Sequence, residues 1–110
     1  MNNNEERIPE KEKLRNASNY PAWRTKLNAV AYDAQAIDIL KGEEKRPTGQ
    51  GPETGAEIKL QQKKWDKANS KLWKFIVNSI HDDLGGIIRR TKEFDSAEAI
   101  KNIESQFFNT

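Results

Sequence analysis

Wherever apolar residues gather in this chain they recur at steps of three and four, and nowhere do they alternate. Trp23, Leu27, Val30, Ala34 and Ile37 stack on one helical face. Ile58, Trp65, Ala68, Leu72, Phe75, Ile76, Ser79 and Ile80 do the same, and Trp73 and Val77 widen that face towards its end. Ala99, Ile100, Ile103 and Phe107 line a third. With no period-two segment to build a sheet, the class is all-α: a small bundle of about four to five helices.

The punctuation between these faces sets the boundaries. Pro21 suits a first helical turn and Gly42 a helix end, so a main helix runs to about residue 33 and a shorter helical turn reaches Leu40. Residues 42–55, GEEKRPTGQGPETG, hold two prolines and four glycines, which no helix or strand tolerates. A long helix is expected from about Ala56 to Ile80. His81-Asp82-Asp83 then offers cap chemistry, and Leu84, Ile87 and Ile88 form a short turn weakened by Gly85-Gly86. Asp95 and Glu98 resemble a capping box for the last helix. Hydrophobic residues make up 35% and charged residues 33%, so part of the chain must lie outside the core. The expected organisation is a flexible tail over 1–13 and a helical domain over 14–110 with a flexible loop at 43–55.

Composition narrows the chemistry. There is no cysteine and one histidine, His81, which leaves few ways to assemble a thiolate, metal or acid–base centre. Three adjacent residues such as His81-Asp82-Asp83 cannot converge easily on one ion, so no metal and no cofactor are expected. Asp95-Ser96-Ala97 lacks the glycine of an aspartic-protease motif. The chain reads as non-enzymatic. No run approaches the ~20 apolar residues of a membrane span, and Asn2 removes N-myristoylation.

Charge is informative through its distribution. The net charge is +2. Within 58–80, however, Lys59, Lys63, Lys64, Lys67, Lys71 and Lys74 face only Asp66, giving +5. Lys59, Lys63, Lys67, Lys71 and Lys74 form one drifting ridge, a candidate contact for nucleic acid or another polyanion. Arg89 and Arg90, with Lys92, make a second basic cluster. The competing reading is a solvated helix face for the lysines and helix C-terminal charge complementation for the arginines. Without interleaved aromatics, no sequence specificity is expected.

One motif goes further. Ser18-Asn19-Tyr20-x-x-Trp23, with Leu14 before it and Leu27 after, resembles the opening of the Gag polypeptide of copia-type LTR retrotransposons. The resemblance continues through Leu40-Lys41-Gly42, a helix led by Trp65 with Leu72 to Ile80, then Leu84 with Ile88-Arg89, and Ser96-Ala97-x-x-Ile100. Ile100 stands where that pattern usually has Trp, and Gly85-Gly86 where it has bulkier residues. The resemblance implies a capsid N-terminal-type domain, cytoplasmic, that self-associates weakly into a shell packaging RNA. A domesticated copy would instead be a helical module binding RNA or a host protein. The implied core is Tyr20, Trp23, Leu27, Trp65, Leu72, Ile76, Ile80, Ile88, Ile103 and Phe107. Assembly contacts are expected on the outer faces of the first two helices and the Gly85–Arg90 turn. The ending Phe107-Phe108-Asn109-Thr110 suggests a fragment or a domain of a longer polyprotein.

Overall fold

The computed structural model describes residues 8–49 and 54–108. Among these, five α-helices follow one another: α1 (Tyr20–Asp33), α2 (Ile37–Leu40), α3 (Gly55–Asn78), α4 (Gly85–Arg90) and α5 (Ser96–Phe108). The fold is an all-α bundle. α1 lies against α3, while α5 closes on α2, α3 and α4.

Local chemistry explains where the helices start and stop. The Asn16 side chain accepts from the Ser18 and Asn19 amides, and Asn19 answers by accepting from the Asn16 amide. Asn19 also donates to the Lys13 carbonyl, which knots the turn that feeds α1. α1 ends in a Schellman motif, with the Ala36 amide on the Ala31 carbonyl and the Gln35 amide on that of Tyr32. α2 ends in another, with Glu43 on Asp38 and Gly42 on Ile39. Gly42 takes the left-handed position of the second motif at φ +78°, but Gln35 takes that of the first at φ +57°. Thr54 and Glu57 form a reciprocal capping box at the head of α3.

Leu14, Trp23, Leu27, Leu72, Ile76 and Ile103 form the centre of one core, with Tyr20, Ile80 and Ile100 also buried. Trp23 packs near Phe75, and its indole N–H donates to Ser79 Oγ at 2.8 Å, inside the protein. Tyr20 reaches α5, where its hydroxyl and the Arg24 guanidinium both bind Glu104.

Several expectations shift. Trp65, Ile88 and Phe107 pack against the core from its margin and are only partly buried. In the six-residue α4 it is Ile87 that is buried, and one residue is a rotation of about 100°. Trp65 lies at a groove, its indole donating to the Glu44 carbonyl, and Phe107 occupies the last turn of α5 against Tyr20. Trp73, which departs from the main stripe of α3, is buried at 8% exposure because Phe94 folds over it at a ring distance of 5.7 Å. Val77, expected on the buried face, is exposed. Further along α1, Ala31 is fully buried like Leu27, with Val30 and Ala34 at the margin.

α3 stops at Asn78, because Ser79 and His81 exchange backbone hydrogen bonds with Leu14 in a parallel bridge between Leu14 and Ile80. Residues 1–7 of the expected tail lie outside the described residues. Beyond them, Glu10–Glu12 form a 3₁₀ turn, and Glu12 pairs with Lys26 of α1. Residues 50–53 of the expected loop also lie outside. The stretch before them is tied to α3 by Arg46 on Asp66 and by Gln62 on the Pro47 carbonyl.

Candidate interaction surface

The lysine ridge is placed by the same periodicity that buries Leu72 and Ile76. Lys59, Lys63, Lys67, Lys71 and Lys74 fall on the side of α3 opposite its apolar stripe, and all five are exposed. Fifteen residues of helix separate the first from the last, about 22 Å at a rise of 1.5 Å each.

Their electrostatic setting is unusual for a surface helix. Asp66 is the only acid in this stretch, and Arg46 takes it with two hydrogen bonds of 2.8 and 3.0 Å. That hydrogen bonding and charge hold the Asp66 carboxyl below its ordinary pKa and the Arg46 guanidinium above its own. Among the described residues none of the five lysines is in an ion pair. The ridge therefore presents its full positive charge outward.

Arg89 and Arg90 are exposed in the last turn of α4, where their charge complements the helix dipole. Their guanidinium groups fold back over Gly85 and Gly86; a Cβ on Gly85 would stand 3.2 Å from Arg89 Nη1. The two basic clusters thus lie on different helices, α3 and α4. His81 caps the turn at Asp82–Leu84 by accepting from the Asp83 amide at 3.1 Å. Among the described residues no group of three His, Cys, Asp or Glu side chains is arranged to hold a metal ion.

Beside the ridge runs a groove of about 460 Å³ between α3, the end of α1 and the segment after α2. Ala34, Ile39, Trp65 and Ala68 form its apolar lining, and Lys64, Lys67 and Lys71 stand along α3. Sequence reasoning counted Lys64 but did not set it apart, because only the packing of α1 and α2 against α3 turns that flank into a wall. It also missed Tyr32, which is 79% exposed near the end of α1. Tyr32 lies outside the Trp23–Leu27 stripe, and that offset was the available signal.

No helix among the described residues is long and apolar enough to cross a membrane. No protein-family model, curated protein sequence or solved structure matches the chain.

Proposed function

We propose that this chain is a non-enzymatic structural domain of the copia-type Gag class, working in the cytoplasm by weak self-association into a shell that packages RNA. The observation that carries this reading is where the motif residues sit. Asn19 knots the turn before α1, Tyr20 bridges to α5, and Trp23 joins α1 to Ser79 beyond the end of α3. Leu14, Leu27 and Leu72, which share the resemblance, fall in the same core. A motif that organises the fold leaves the outer helix faces free for neighbours. Negative-stain microscopy of the concentrated chain, with crowding agent and RNA, tests the proposal. Rings or lattices are the expected outcome; dispersed monomers under all of these conditions would remove the shell.

The unpaired lysine ridge favours a second reading, a helical module that binds RNA without assembling. Its signature is binding to single-stranded RNA that weakens steeply with salt and ignores sequence.

A further inference from the structure

The groove beside α3 has walls of opposite sign. Lys64, Lys67 and Lys71 form one wall. Glu44 lies on the other, and a second depression of about 530 Å³, which shares Gln35 and Glu44 with the groove, extends that side to Asp33 and Asp38. Three positive groups thus line the groove along α3, with one negative group, Glu44, opposite them and two more, Asp33 and Asp38, in the adjoining depression. Among the described residues none of these six is in an ion pair, so the groove keeps the two sets apart. Tyr32 stands exposed on the acidic side.

We propose that this face docks a second copy of the same chain, related by a two-fold axis lying along the groove. Such a rotation exchanges left for right between two facing copies. It lays each lysine wall on the other copy's Asp33, Asp38 and Glu44, making the interface isologous. An axis across the groove would set lysine against lysine, which like-charge repulsion disfavours. The six wall charges sum to zero, so this face does not repel its own copy. A nucleic-acid strand fits the groove less well, because the acidic wall repels its phosphates while the lysine wall attracts them. The contact rests on the self-association proposed above and specifies one surface for it. A two-fold closes after two copies, so it would link larger units rather than build a ring alone.

The absence of cysteine makes the test clean. Lys67→Cys and Asp38→Cys, both at exposed positions, are oxidised mildly at high protein concentration and low salt, separately and mixed. The mixed disulfide should form well above random pairing and above either homodimer, and should be lost at high salt. A separate pair of variants reverses charge. Lys67→Glu/Lys71→Glu should weaken association on the order of tenfold, and mixing with Asp33→Lys/Asp38→Lys should restore it.

Lys67–Lys67 crosslinks at equal or greater yield, or no crosslink at all, would overturn the two-fold contact. So would a failed crosslink together with loss of single-stranded RNA binding in Lys67→Glu/Lys71→Glu, which would give the wall to a polyanion. Shells that form without the mixed crosslink would remove this contact alone. The mixed crosslink without shells would keep the contact and remove the shell.

Discussion

Tyr20 and Trp23 each perform two tasks, and the two can be separated by substitution. Trp23 fills the space between α1 and α3 and also supplies the N–H that meets Ser79 Oγ. Trp23→Ala should cost about 3–5 kcal/mol, the range for truncating a buried aromatic. That is much of the 5–15 kcal/mol that typically separates folded from unfolded. An unchanged denaturation midpoint would take Trp23 out of the core. Tyr20 is held differently. Burial first, and then its hydrogen bond to Glu104, push the phenol up to about 12, although Arg24 works the other way. The fold favours the neutral phenol, so the stability it adds is fully present below the unfolded value of about 10. It is lost as the pH rises through the folded value. Thermal melts should therefore show stability declining between about pH 10 and 12 in the wild type. The decline should be shallower in Tyr20→Phe, and an identical slope in both proteins would refute the burial argument.

At the scale of single helices, the turn chemistry is the part most open to improvement. Gln35 and Gly42 occupy equivalent left-handed positions in successive Schellman motifs, and only one of them is glycine. A non-glycine residue with left-handed backbone costs roughly 1–2 kcal/mol. Gln35→Gly should recover on the order of 1 kcal/mol, less the added freedom of the unfolded chain, and raise the melting temperature. A lowered melting temperature would mean that the Gln35 side chain holds the corner in place. The lysine ridge invites the opposite kind of change. Replacing Lys63, Lys67 and Lys71 with Gln should leave helicity intact, since the two residues have similar helix propensities. If RNA binds there, affinity should fall for all sequences alike and the salt dependence should flatten. Equal binding by both proteins at low salt would make the ridge merely solvated. These elements were largely legible beforehand, because period and cap residues are local. The break after residue 33, the stop at Gly42 and the start near residue 55 could all be read from residue type. What could not be read was burial decided by distant partners. Trp73 is covered by Phe94 from beyond α4, and Leu14 is drawn in by the strand-like pairing with Ile80. The choice of Ile87 over Ile88 depends on where α5 lies, which no local pattern encodes.

For the molecule as a whole, the candidate surface divides along the same line. The ridge was visible as a spacing of lysines on one helix. The groove was not, because its walls come from α3, the end of α1 and the segment after α2, brought together only by the core. Such a surface also bounds the strength of assembly. The core takes nearly all the large apolar side chains, and Tyr32, Leu60, Val77, Phe94 and Phe108 remain exposed among the described residues. These come from α1, α3, the turn before α5 and the end of α5, so any one contact draws on few of them. Patches burying less than about 800 Å² in total are individually weak. They become useful only when many are closed together or when tethering raises the local concentration. Charge complementarity across a groove adds encounter rate and register more than affinity, and salt screens it within about 10 Å. The chain should therefore sediment as a monomer at micromolar concentration and shift to larger species only when crowded or concentrated, most readily at low salt. Sedimentation velocity over a wide concentration range at two ionic strengths measures this. A tight dimer at micromolar concentration that high salt does not loosen would place the dominant contact on an apolar surface instead, and the exposed Leu60 and Val77 of α3 would be the first residues to replace.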